Sequence, residues 1–528
     1  MYKALVCVLW YNISHQKKTF YKQKTHKVII SKMSHNFSNY SKFIYFLSKL
    51  GLSNSLNRAG IYKKRGLNSV EMFKECLISI IVGKSLNKYS NSGKALNNGN
   101  GISKSSMYRF LSSTGFSWRS CLLDITSRII FKTSKLTSSE RIKTIAIDDS
   151  IINRSRSKDT QLLARIFDHC SHRYLKGFQY LCLIWSDGVS SFPFDFAMMS
   201  SAKDKNCIKP LDNKNIDART AIGKRMIESR KTKPQVVVDL LNKAVKAGIP
   251  ADYVLFDTWF TSEPLISKIR DLGFHVIGML KHMKNTSYVY KDGNSYSLKA
   301  LYEKLTRERI IKSNNMIMGS VIVKTKKNNI PVKVLFVRNK NNADKHICLL
   351  STDLDLTNEQ IVQTYTRRWS IEINFFNQKQ FLNLESGCRA NQFSAIIAHT
   401  TMVCVCTTIL EYIKRCDKDI RTFGAVFESC KEELQEIHIN IALDTLMNTF
   451  VDYVRVLEDK KLLKKGCFTE ALAIAYNMLS SWYTQQIESV RNFVQSIREE
   501  LLKGTEIPQK INACFKKTPK PLGLRLGL

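Results

Sequence analysis

From residue 37 to residue 131, apolar residues return every three or four positions. Phe43, Phe46, Leu47 and Leu50 form one face and residues 70–82 supply another, which predicts helices. A Gly/Asn/Ser-rich stretch, residues 89–105, reads as a loop dividing this region. It leads into SKSSMYRFLSS, where serines are placed to cap a short helix carrying Lys104 and Arg109. At Lys143 the period shortens. KTIAIDDS (143–150) is a strand ending in two aspartates, and QLLARIFDH, GFQYLCLIWSDG and SFPFDFAMM follow as a meander whose last turn is Ser186-Asp187-Gly188. Residues 200–233 are basic and poorly patterned. Beyond them a helix (236–247), the strand YVLFD (253–257), a helix opening at Ser262-Glu263-Pro264 and the strand FHVIGML (274–280) alternate, which predicts an α/β fold with a mixed sheet covered by helices.

Residues 283–350 return to β patterning through SYVYKDGNSYSL, MIMGSVIVKT and IPVKVLFVRN, and read as a β-rich insertion. The helical period resumes at Asn358, residues 394–415 form a long apolar helix, and amphipathic helices run from Phe423 to about Leu502 before a basic tail. The expected organisation is therefore a segment 1–32 that fits no domain pattern, a helical N-terminal region 33–140, a core in two parts (141–282 and 351–415) around the insertion 283–350, and a helical C-terminal region 416–528. Because the tidy helical pattern opens at Met33, residues 1–32 are expected to be an upstream extension, with translation starting at Met33.

Composition narrows the function. A chain of 528 residues with 82 Lys+Arg against 44 Asp+Glu has a formal charge of +38, spread along its length, which favours a polyanion such as nucleic acid. The fourteen cysteines form no CxxC pair and many sit in apolar runs, as Cys182, Cys404 and Cys406 do, so they read as buried thiols of a reducing cytoplasm. Asp168-His169-Cys170-Ser171-His172 has no zinc spacing and reads as a turn. The longest apolar run, residues 395–410, contains His399 and several Thr and reads as a core helix, with no membrane partner expected. There is no Walker-type glycine loop, so no nucleotide hydrolysis is expected.

The most informative string is YTRRWSIEINFFNQK, residues 365–379. On one continuous helix Tyr365, Arg368, Glu372 and Lys379 fall within an arc of roughly 60° at ~100° per residue. Trp369, Ile371, Ile373 and Phe375 lie round the remainder and look buried. Arg368 and Glu372, four apart, would pair on many ordinary helices. The same set also suits a carboxylate that holds a divalent metal while its neighbours grip phosphate oxygens. Asp148 or Asp149 ends the first strand and Asp257 ends YVLFD. These would converge with Glu372 to hold two divalent ions about 3.5–4 Å apart for in-line attack on a phosphodiester.

Residues 143–408 resemble the DDE-type transposases of bacterial insertion sequences, specifically the insertion-sequence-four group. Tyr365, Arg368, Glu372 and Lys379 reproduce that group's Y-R-E-K signature at every interval. Asp148-Asp149-Ser150 is similar to its first motif and Asp257 in VLFDTWF to its second. The resemblance implies a ribonuclease-H-like core interrupted by a β insertion. It further implies that Asp148, Asp257 and Glu372 bind Mg²⁺ (or Mn²⁺) as two ions, with Asp149 a rival for Asp148, and that Tyr365, Arg368 and Lys379 contact double-stranded DNA near the element end. The enzyme would cut its element's ends and join them to target DNA as a homodimer on paired ends, in a bacterial cytoplasm at the nucleoid. A nuclease without transposition, or an inactive DNA-binding relative, are the other readings. Relatives that form DNA hairpins stack a base on a Trp of the insertion, but residues 283–350 contain none. Tyr288, Tyr290 or Tyr296 would have to substitute, or are ordinary strand residues. Leu443, Leu446, Phe450 and Val454 are the expected dimer face.

Overall fold

The computed structural model describes residues 41–96, 102–138, 140–201, 203–210, 216–281, 286–312, 315–339 and 346–435. The chain divides into two compact units, residues 49–431 and residues 1–48 with 432–528. In the smaller unit, helix α1 (Lys42–Ser48) buries Phe43 and Leu47, and the Lys42 N–H donates to Glu433 at 2.8 Å. The expected start at Met33 and the dimer face at Leu443, Leu446, Phe450 and Val454 lie outside the described residues.

The larger unit opens with helices α2 (Leu52–Arg58), α3 (Ser69–Ile81), α4 (Leu86–Leu96), α5 (Lys104–Leu111) and α6 (Trp118–Ser134). Capping residues start two of them: Asn68 accepts from the Glu71 N–H at 2.9 Å, and Ser103 from the Ser106 N–H at 3.2 Å. The loop expected over 89–105 is instead helical up to Leu96. Leu86 is buried, and the Tyr89 hydroxyl donates to Glu75 of α3 at 2.5 Å, which holds the polar sequence against the bundle.

Strands β1 (Thr144–Asn153), β3 (Arg173–Ser186), β4 (Ser191–Met199), β5 (Tyr253–Phe256) and β6 (His275–Leu280) form the core. Their order is β4-β3-β1-β5-β6. β3 lies antiparallel to β1 and to β4, while β5 runs parallel to β1 and β6 parallel to β5. This is a ribonuclease-H-like mixed sheet. Strand β2 (Ala164–Asp168) pairs with the start of β3, and residues 169–172 make the turn between them, as expected. The β3–β4 turn is built on Asp187, which accepts from the N–H groups of Val189 and Ser190 at 3.0 and 2.8 Å, with Gly188 at φ 86° supplying the left-handed step.

The β insertion does not stand apart. β7 (Ser287–Val289), β8 (Ser295–Ser297), β9 (Ile317–Thr325) and β10 (Pro331–Arg338) continue the same sheet, because β11 (His346–Ser351) pairs antiparallel with both β10 and β6. Two short helices escape the sequence pattern. One is α7 (Ala221–Glu228), in the stretch expected to be irregular. The other is α10 (Leu298–Arg307), inside the insertion, which buries Leu298, Leu301 and Leu305.

Helices cover the sheet: α8 (Lys233–Lys246) packs on β4, α9 (Glu263–Asp271) on β6, and α13 (Phe393–Cys416) against α6, α3 and β4. By length and hydropathy α13 could cross a membrane, yet its apolar window is wholly buried inside the protein. It is a core helix. Tyr288 and Tyr290 are buried too, and Tyr296 donates to Asp292 at 2.7 Å, so Tyr288 and Tyr290 are strand and turn residues closed to a stacking base.

Candidate active site

The first four residues of β1, Thr144 to Ile147, are fully buried, and the chain then turns polar at Asp148 and Asp149. The aspartates were expected to end the strand. It continues to Asn153 because β3, fourteen residues long, keeps pairing with it, Asp148 opposite Cys182 and Asn153 opposite Gly177. β5 stops sooner. Ile147 pairs with Phe256 in parallel register, so Asp257, the next residue, comes level with Asp148 where that ladder ends.

Strand alternation sends Asp148 and Asp149 to opposite faces. Asp148 accepts from Arg368 at 3.1 Å, whereas Asp149 accepts from Lys233, the first residue of α8, at 2.9 Å. Burial, and next the charge of Asp257, push the Asp148 carboxyl up to about 7, against the Asp149 N–H and Arg368. Burial likewise raises Asp257, against the N–H of Trp259, which donates to it at 2.9 Å, and against Arg368.

The signature string is not one uninterrupted helix. α11 (Asn358–Thr366) and α12 (Trp369–Gln380) meet at Arg367 and Arg368, where four bonds, from the N–H groups of Arg367, Arg368, Ser370 and Ile371, reach carbonyls three residues back. Arg367 also donates to the Ile142 carbonyl just before β1, which ties this joint to the sheet. Arg368 bridges two carboxylates by donating one nitrogen to Asp148 and the other to Glu372. Tyr365 sits with its ring centre 5.9 Å from that guanidinium; burial pushes its hydroxyl up to about 12, against the pull of Arg368 beside it. Lys379 donates to the Ile151 carbonyl at 2.7 Å and pairs with Glu385 at 3.2 Å, so it ties α12 to β1.

One expectation about this string is corrected. Trp369 is 59% and Ile373 49% exposed, because α12 turns Ile371, Asn374, Phe375 and Gln378 inward instead. Of the three carboxylates, Asp148 and Asp257 lie level on adjacent strands, and Glu372 is linked to Asp148 through Arg368. Among the described residues no group of three or more His, Cys, Asp and Glu is arranged to hold a metal ion, since the Arg368 guanidinium stands between Asp148 and Glu372. The Asp148–Asp257 pair nevertheless fits a hard divalent ion. It offers carboxylate oxygens whose mutual repulsion a cation would relieve, and Mg²⁺ commonly uses one or two carboxylates with water and substrate phosphate for the rest.

Sequence reasoning missed Lys233, Trp259 and His169. Lys233 lies over the Trp259 ring at 5.4 Å, and His169 lies 5.8 Å from that ring. The DTWF run after the strand signal was the only hint of them.

Residues 89–307 match the family model described as DDE superfamily endonuclease, and residues 226–409 match that of the transposase DDE domain. Asp148 falls in the first, Asp257 in both and Glu372 in the second. No curated protein matches the sequence. Among solved structures the Drosophila P element transposase strand transfer complex is similar at 9% identity, over 70% of this chain and 64% of that one, with a TM-score of 0.22. The chain thus spans somewhat less than two thirds of that relative. The two family matches support a DDE transposase and hence a nuclease-type enzyme.

Proposed function

We propose that the protein is a transposase of the insertion-sequence-four group that cuts the ends of its own element and joins the freed 3′-hydroxyls to target DNA. The observation that carries this reading is the parallel register that sets Asp148 and Asp257 side by side, with Arg368 linking Asp148 to Glu372. Asp148 and Asp257 would hold Mg²⁺, or Mn²⁺, and Glu372 would complete a two-ion site once Arg368 lets go of it. Bound there, the ions would activate the attacking oxygen and stabilise the leaving one.

The chain's own groups supply the rest. Arg368, held between two carboxylates in the free protein, exchanges one of them for a phosphate oxygen when DNA enters, its planar fork suiting either. The Tyr365 hydroxyl, buried beside Arg368, is a ready donor to the same phosphate. Lys379 keeps β1 and α12 in register through Ile151 and contacts the backbone near the element end. Asp149, neutralised by Lys233, supports the site from the opposite face. The partners are duplex element ends and target DNA. Two protomers on paired ends, with 33–140 as a DNA-docking region and 416–528 as the dimer region, follow from having two ends to cut and one site per chain. The compartment is a bacterial cytoplasm, at the nucleoid.

The test is a strand-transfer assay on DNA carrying the element's end. Wild type cuts and joins in Mg²⁺, Asp257→Ala and Glu372→Ala do neither, and Asp149→Ala keeps more activity than Asp148→Ala. Wild-type cutting without joining would replace transposition by a plain nuclease, and undiminished cutting by Asp257→Ala would remove the site.

A further inference from the structure

The β2–β3 hairpin beside the carboxylates carries a pattern that the cleavage chemistry does not use. In its antiparallel register Arg165 faces Lys176 and Phe167 faces Tyr174. Residues two apart share a face, so these four side chains form one surface on which cations and aromatic rings alternate. Like charges placed directly across a ladder destabilise it. Neither Arg165 nor Lys176 has an ion pair with a described residue, and both are exposed. An anion between them removes that cost.

The aromatic part is continuous. Phe167 makes edge contacts to Tyr174 at 5.2 Å and to His169 at 5.0 Å, and His169 reaches Trp259 at 5.8 Å. Trp259 is 64% and Tyr174 69% exposed, so the ridge begins and ends with a largely exposed ring, Lys233 lying over that of Trp259. At the Trp259 end it meets the active site, because the Trp259 N–H holds Asp257 and Lys233 lies over its ring.

We propose that this ridge is a platform for single-stranded DNA, stacking unpaired bases of the strand that leaves the scissile phosphate while Arg165 and Lys176 hold its backbone. Exposed rings interleaved with cations accept any base, since every base has a π face, and the cations follow the phosphates. The proposal rests on the DNA-cutting function above, and it places the opened strand on the hairpin of the core sheet rather than on the β insertion.

The test uses the full chain without divalent metal, so that it reads independently of cleavage. The probe is a duplex ending in a short single-stranded extension with 2-aminopurine placed at successive positions. Wild type should quench emission at one or two positions in the extension and bind the extended duplex more tightly than a blunt one. Trp259→Ala and Tyr174→Ala should restore the emission and lower affinity for the extended duplex about tenfold, whereas Trp259→Phe should keep most of both. Arg165→Ala with Lys176→Ala should flatten the salt dependence by roughly one to two phosphates' worth. Thermal melting of each variant, all changed at exposed positions, verifies that the fold is intact. Equal quenching in wild type and Trp259→Ala, or a preference for the blunt duplex, would overturn the platform. A wild type that quenches but never cuts in Mg²⁺ would instead overturn the cleavage reading and leave the platform standing.

Discussion

Two aspartates of this sheet, on β1 and β4 with β3 between them, each sit beside an arginine, and their carboxyl groups move in opposite directions. Asp195 on β4 accepts from Arg119 of α6 at 2.6 Å. Burial alone would raise it, but the charge and hydrogen bond of Arg119, with Lys243, hold it below the usual carboxylate range. Arg119 also donates to Glu228 at the end of α7, which in turn accepts from Arg225 at 2.8 Å. Three cations there serve two carboxylates. Asp148 also touches an arginine, yet it rises to about 7, because burial and then the charge of Asp257 outweigh the Asp149 N–H and Arg368, the one cation bonded to it. The first arrangement satisfies its charges within the fold and fastens the N-terminal helices to the sheet. The second leaves negative charge in excess, and the excess marks where a cation and a phosphodiester would fit.

The largest effect expected from breaking this contrast is on the satisfied side. Arg119→Ala leaves Asp195 and Glu228 buried with one cation fewer, and should destabilise the larger unit by about 3–5 kcal/mol in denaturant melts. A loss below about 1 kcal/mol would mean that the cluster contributes nothing special.

On the other side the sign should reverse. A carboxyl raised from 3.8 to about 7 in the folded protein binds its proton more tightly than in the unfolded chain. The penalty is absent below about pH 4 and fully present above about pH 7. Asp148→Asn should therefore stabilise the metal-free protein at pH 8 by something on the order of 3 kcal/mol and change little at pH 4. A destabilised Asp148→Asn at pH 8 would place Asp148 in the same class as Asp195.

The smallest effect concerns how Arg368 is used. Arg368→Lys keeps the charge but not the fork, and should cut element ends roughly 10–100-fold more slowly, with Arg368→Ala slower still. Unimpaired cutting by both would reduce the Arg368–Glu372 pair to an ordinary helix ion pair.

Much of this contrast was legible in the sequence on one side and hidden on the other. The strands bearing Asp148 and Asp257 announce themselves as short apolar runs closing in carboxylates, and the 365–379 spacing announces the bridge between Arg368 and Glu372. Periodicity could not show that Arg367 is caught by the Ile142 carbonyl, so the joint between α11 and α12 and the exposure of Trp369 were missed. It also could not show that β1 runs past its aspartates, since that depends on the length of a partner thirty residues later. β11 was lost for a similar reason: six residues gain meaning only by pairing with β6. The Arg119 cluster was invisible because its two carboxylates lie 76 and 109 positions from Arg119 and none sits in a motif.

The central claim is that Asp148 and Asp257 are kept in electrostatic conflict for a divalent cation. Titration calorimetry of the full chain with Mn²⁺ at pH 6 and pH 8, repeated in buffers of different ionisation enthalpy, tests it most directly. The account predicts tighter binding at pH 8, proton release that is larger at pH 6, and loss of binding in Asp148→Asn and Asp257→Asn but not in Asp195→Asn. Binding that is unchanged in Asp148→Asn and Asp257→Asn, or unaffected by pH, would contradict it.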